Sequence, residues 1–190
     1  MRGFRIDGED LVADADADER EVFASVVADV AELLGAGRLE DRTEDPDTEP
    51  VGFRLRLDPI PAPDDPAVHR LLPDASREDA ELTAEFRRLT EDDLRQEKIE
   101  RLAALYRLFT ADGPIRVRRS EAHRLAATLT DVRLVLGERL GIVDDESGEE
   151  LEDELVAGDG EPARQYLGSI YLALGWWQET LMACLLAGLP

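Results

Sequence analysis

The sequence predicts a mainly α fold: about five helices packed around a central C-terminal helix, with a small antiparallel β-sheet from an N-terminal hairpin and residues 51–57. Three observations lead there. Apolar residues recur at three- and four-residue spacing over four long stretches, the period of a helix with one buried face. Strict alternation, the period of a strand, is confined to short segments. A hydrophobic content of 43% in 190 residues suffices for one core, since a chain of this size buries roughly 70% of the surface it exposes unfolded. A single acidic helical domain spanning 1–190 is expected, with flexible acidic loops at 38–50 and 144–160.

Taken in order, two short apolar stretches flank Asp7-Gly8, a hairpin turn. Asp16 or Asp18 then caps a helix to about Leu34, with Val22, Phe23, Val26, Val27, Val30, Leu33 and Leu34 on one stripe; Gly35 and Gly37 end it. Val51, Phe53, Leu55 and Leu57 alternate with Gly52, Arg54 and Arg56 as a strand, stopped by four prolines between 59 and 66. Residues 67–72 form a short helical turn before Pro73. A helical region follows from about Arg77 to Thr110, with a break or kink expected where Thr90-Glu91-Asp92-Asp93 offers a second N-cap. Gly113-Pro114 turns the chain into an extended piece at 115–117, placed to join the hairpin. Ser120 is expected to cap a helix to about Leu140, and Pro162 opens the last helix, about 161–187. That helix is apolar around most of its circumference, and Gly168 and Gly175 admit a close neighbour.

The formal net charge is −22, from 22 basic and 44 acidic side chains. Non-specific nucleic-acid binding is driven by Lys and Arg displacing condensed counterions, so this charge disfavours nucleic acid and favours a basic protein partner. It also fits a role in solubility alone. Lys98 is the only lysine among many arginines, which reads as codon bias. With one cysteine, Cys184, no internal disulfide can form. The N-terminus shows no apolar signal-peptide core, and the last helix is interrupted or bordered by Gln165, Gln178 and Glu179. A cytoplasmic location without membrane contact is therefore expected.

The stretch His69–Ala75 running into Ala84–Arg95, the block Thr130–Gly141, and the block Leu172–Leu181 with its Trp176-Trp177 pair resemble, in order and spacing, the AosR family of oxidative-stress transcriptional regulators, a domain of unknown function from high-GC Gram-positive bacteria. The likeness covers nearly the whole chain. It implies a cytoplasmic regulator linked to sulfur metabolism. With the acidic charge, it implies contact with a transcription protein such as a sigma factor rather than with the promoter. An intramolecular thiol switch needs two cysteines, and only Cys184 is present.

Among candidate residues, Asp131 and Arg133 interrupt an apolar helix, and buried charge is costly unless paired. They are expected to make polar contacts with other helices, with Gln178 or Glu179 as the nearest candidates, or to bind a partner. Trp176 and Trp177 point about 100° apart on a helix, so both are core only if the helix is central, and an exposed one is an interface anchor. His69 and His123 lack metal-ligand spacing. Cys184, near a helix C-terminus, lacks the cations that stabilise a thiolate. The carboxylate pair Asp93–Glu97 has Arg95 and Arg101 nearby, and the basic groups Arg87-Arg88 and Arg116, Arg118, Arg119 balance acidic neighbours. No catalytic, cofactor or metal site is expected. An adaptor or scaffold without a transcription role, an enzyme with a site assembled from scattered residues and, third, a direct DNA-binding regulator stay open as rivals.

Overall fold

The computed structural model describes residues 1–41, 60–158 and 160–187. Strand β1 (Arg2–Asp7) turns through Gly8, whose φ of 65° suits a residue without a Cβ, into β2 (Asp10–Asp14). The third strand of this antiparallel sheet is β3 (Ile115–Arg118), which pairs Leu11 with Val117 and Ala13 with Ile115, giving the order β1-β2-β3. The expected joining of the 115–117 piece to the hairpin is what the register shows. The strand expected at 51–57 lies outside the described residues.

Helix α1 (Ala17–Leu33) starts in a capping box: the Asp16 side chain accepts from the Glu19 N–H, and the Glu19 side chain accepts from the Asp16 N–H. Its buried stripe of Phe23, Val26, Val27 and Val30 is the periodic one, and Gly35 follows with φ 83°. Helix α2 (Pro66–Leu71) is capped by Asp65 and buries Ala67, Val68 and Leu71.

Helix α3 runs unbroken over Ala80–Thr110, so the break expected at Thr90 is absent. Thr90 does not cap; its hydroxyl donates to the Phe86 carbonyl one turn back. Glu91, expected in the first turn of a new helix, instead bonds Arg87 a turn before and Arg95 a turn after, bracing the helix across that point. Helix α4 (Ala122–Leu140) follows a single 3₁₀ turn at Arg119–Glu121, and no side chain caps it, so Ser120 does not play the role its type suggests.

The segment 144–160, expected as a loop, carries helix α5 (Asp145–Ala157). Asp144 and Ser147 form its capping box, Gly158 ends it in the left-handed region, and Leu151 is fully buried. High charge hid a short amphipathic helix with one deep anchor. Helix α6 (Pro162–Leu186) packs on α4, α5 and β1. At its middle Trp177 is fully buried in a four-ring cluster: Phe4 at 4.9 Å, Phe109 at 5.5 Å and Phe23 at 6.0 Å between ring centroids. No helix among the described residues is long and apolar enough to cross a membrane.

Candidate protein-contact site at the seam of α4 and α6

The helices α4 and α6 run antiparallel, and their seam is polar where it meets solvent. Gln178 on α6 donates to the Ala126 carbonyl at 3.1 Å and to the Thr130 hydroxyl at 2.7 Å, and accepts from the Arg133 guanidinium at 3.1 Å. The guanidinium also lies 4.8 Å from the centre of the Tyr171 ring, a cation–π contact. Gly175 makes room for it: a Cβ there would sit 3.2 Å from the Arg133 terminal nitrogen. The sequence places Arg133 toward Gln178 or Glu179, and Gln178 is the partner found. Glycine at 175 therefore admits a side chain rather than a helix backbone. Gly168, one heptad earlier, likewise admits side chains, those of Leu151 and Leu155 of α5.

Asp131 takes a different direction from Arg133. It is buried and points to α3, where Lys98 Nζ donates to it at 2.6 Å and Arg101 approaches at 3.4 Å. The only lysine of the chain thus has a structural place that composition did not suggest. Its short ammonium reaches an inward carboxylate between two packed helices, and Arg101 shares the charge.

Trp176 and Trp177 part as their geometry requires. Trp177 belongs to the core, and its indole N–H donates to the Arg2 carbonyl at 3.2 Å. Trp176 is half-exposed on α6, a helix with only two charged residues, Arg164 and Glu179, between Pro162 and Leu186. Leu186 and Met182 are exposed on the same helix. An aromatic side chain presented on a weakly charged strip of an otherwise acidic molecule is suited to anchoring a protein contact.

The remaining sequence candidates are structural in their contacts. Cys184 is buried, and its thiol donates to the Phe4 carbonyl at 3.3 Å. His69 bonds Asp74 at 3.2 Å, and His123 is exposed on α4. Arg116 bridges Asp7 and Asp10 across the sheet, and those two carboxylates hold its pKa above the ordinary arginine value. Asp93 and Glu97 are both exposed, with Arg101 3.5 Å from Glu97.

Sequence reasoning missed one polar cluster, inside the first half of α3. Arg87 is buried there between Glu91 and Asp74. Burial alone would lower the Arg87 pKa, but the bonds from Glu91 and Asp74 outweigh it and the net direction is upward; Asp74 is held below its ordinary value by the same bond from Arg87. The signal was the i, i+4, i+8 ladder of Arg87, Glu91 and Arg95, which a reading of the helix by its leucines alone passes over.

A search of characterised proteins and a search of solved structures each found no match. A family model matches residues 1–185, almost the full chain. The chain belongs to that family, described as a domain of unknown function (DUF2017).

Proposed function

We propose that the protein regulates oxidative-stress gene expression in the cytoplasm by binding another protein, with a sigma factor or another transcription protein as the partner, and that within its family it stands with the AosR regulators. The observation that carries the reading is Trp176, half-exposed on a helix almost free of charge in a chain of net charge −22. Such a field repels phosphate backbones and attracts basic proteins, while an exposed tryptophan supplies the apolar anchor that charge alone lacks. The three sequence blocks that resemble the AosR regulators, one of which contains this tryptophan, support the transcriptional part of the proposal.

The test is affinity capture of partners from oxidatively stressed cells with the wild-type chain and with Trp176→Ala. Recovery of a transcription protein by the wild type, reduced for the variant, is the expected result. Recovery of partners that include no transcription protein would leave an adaptor instead. A mobility-shift assay at low salt provides the complementary check, because tight, salt-sensitive binding to DNA would overturn the protein-contact reading altogether.

A further inference from the structure

Over its first half, helix α3 is turned inside out. Arg87 and Glu91 are each only 6% exposed, whereas Leu82, Phe86 and Leu89 are 53%, 49% and 45% exposed. Water-facing leucine and phenylalanine with inward-facing arginine and glutamate reverse the usual preference. The reversal is held in place. Asp74, from the segment before the helix, bonds Arg87 at 2.7 Å; Arg95 bonds Glu91 at 2.7 Å and also donates to the Leu34 carbonyl at the end of α1 at 3.2 Å. The helix cannot roll its apolar side inward without breaking these contacts.

The three exposed side chains form one stripe. Their spacing of four and three residues keeps them within about 60° of arc and about 10 Å of helix length. The flanks are acidic. Between 77 and 97 stand eight acidic residues and four arginines. Of the arginines, Arg87 is buried, Arg88 is paired with Glu85, and Arg95 with Glu91. Glu85 and Asp93, on the helix beside the stripe, are exposed.

We infer that the Leu82–Phe86–Leu89 stripe is a docking face for a basic amphipathic helix of a partner protein, an inference that rests on the protein-contact reading above. A straight row of i, i+4, i+7 side chains fits the groove of a second helix. The carboxylates along its rim select lysine or arginine on that helix, outside its apolar row. A second copy of this chain is a poor occupant, because it would bring two acidic rims together.

The test uses the full chain and three synthetic peptides: a Leu/Lys amphipathic helix, the same helix with Glu for Lys, and the same helix with Ser for Leu. Fluorescence anisotropy is measured on the wild type and on Leu82→Ser/Phe86→Ser, whose changed residues are exposed, so that circular dichroism should report an unaltered fold. The Leu/Lys peptide is expected to bind the wild type, to weaken at least about tenfold on the double variant, and to weaken further as salt rises, while the other two peptides bind poorly. Equal binding to both chains, or tight binding of the Ser/Lys peptide, would show charge attraction alone and overturn the inference. So would dimerisation in sedimentation that the double variant abolishes, or a lowered unfolding midpoint of that variant with no peptide binding, which would mean that the chain covers the stripe itself. In affinity capture, loss of the partner by the double variant supports the stripe. Retention of a transcription partner by that variant overturns the stripe and leaves the broader function standing.

Discussion

The thiol of Cys184 and the carbonyl of Phe4 are 180 positions apart in sequence and 3.3 Å apart in space. Two neighbours complete the arrangement: the Thr180 hydroxyl accepts from the Phe4 N–H at 3.0 Å, and the Trp177 indole donates to the Arg2 carbonyl. Side chains of α6 therefore occupy the outer edge of β1, where an unpaired strand would otherwise offer its backbone to another chain. Thr180→Val keeps the shape and removes the acceptor, which leaves a backbone donor without its partner. A loss of about 1–3 kcal/mol is expected by chemical denaturation, with Thr180→Ser close to wild type. A valine variant as stable as the wild type would mean that the edge does not depend on this bond.

Asp131 is the counter-ion for Lys98 between α3 and α4. Asp131→Ala leaves an ammonium buried without its main partner, and a destabilisation of about 3–5 kcal/mol is expected. Replacing both members, Asp131→Leu with Lys98→Met, removes the stranded ammonium, leaves Arg101 to Glu97, and should recover most of that loss. A double variant no better than the single one in equilibrium unfolding would place the cost in packing rather than in the charge.

Helix α5 is held on α6 by Leu151 and Leu155 at Gly168 and by the bond from Arg164 to Glu154. Gly168 already faces Leu151 and Leu155, and a Cβ there would lie 3.0 Å from the Leu151 methyl. Gly168→Val is expected to push α5 off α6, with an overpacking cost of about 1–3 kcal/mol. Hydrogen exchange should show α5 amides losing protection while α1 and α4 keep theirs. Loss of protection in all three together would mean that α5 is an integral part of the core.

Acid should loosen α2 before the core. Asp65 bonds Arg139 on α4, and Asp74 bonds Arg87 on α3, so the two carboxyls pin both ends of the segment carrying α2. Each bond holds its carboxyl below the ordinary value of 3.8. A carboxyl with a lower pKa folded than unfolded stabilises the fold above the unfolded value, and that contribution fades as pH falls through the folded one. Amide protection in α2 should therefore drop as pH falls below about 4 and on through the lowered folded values, earlier than in α4. Asp65→Asn with Asp74→Asn should have weak protection at the higher pH already and show little further dependence.

Most of the architecture was legible because it is written in period and punctuation. The cap at Asp16, one of two aspartates the sequence offered, the proline opening α6 and the apolar stripes of α1 and α4 each act within a few residues. What was not legible depends on distant partners. The ladder of Arg87, Glu91 and Arg95 is local, but that it turns inward and carries α3 straight through an apparent start signal depends on Asp74 and the Leu34 carbonyl, both far away in sequence. The acidic run at 145–157 looks like a solvated loop until Gly168 supplies a niche for Leu151. In the seam, Arg133 with Gln178 was readable as a polar interruption of two apolar helices. The turn of Asp131 toward Lys98 required knowing which helix lay behind it.

The arginines, which composition attributes to codon bias, have a common use in the fold. Helices end with carbonyls that lack intrahelical donors, and guanidinium groups from elsewhere in the chain meet them. Arg95 reaches Leu34 at the end of α1, Arg164 reaches Leu140 at the end of α4, and Arg119 reaches Cys184 near the end of α6. Arg20 does most: from α1 it donates to the carbonyls of Leu108, Phe109, Ala111 and Gly113 around the end of α3. Only a planar fork of donors can serve several carbonyls at once; an ammonium brings the same charge but not that geometry. Arg20→Lys is therefore expected to cost about 1–2 kcal/mol despite preserving the favourable interaction with the helix dipole, and Arg20→Ala more. Chemical denaturation separates the two contributions: a lysine variant equal to wild type would show that charge alone closes α3, and a lysine variant equal to alanine would show that the bonds are all that matters.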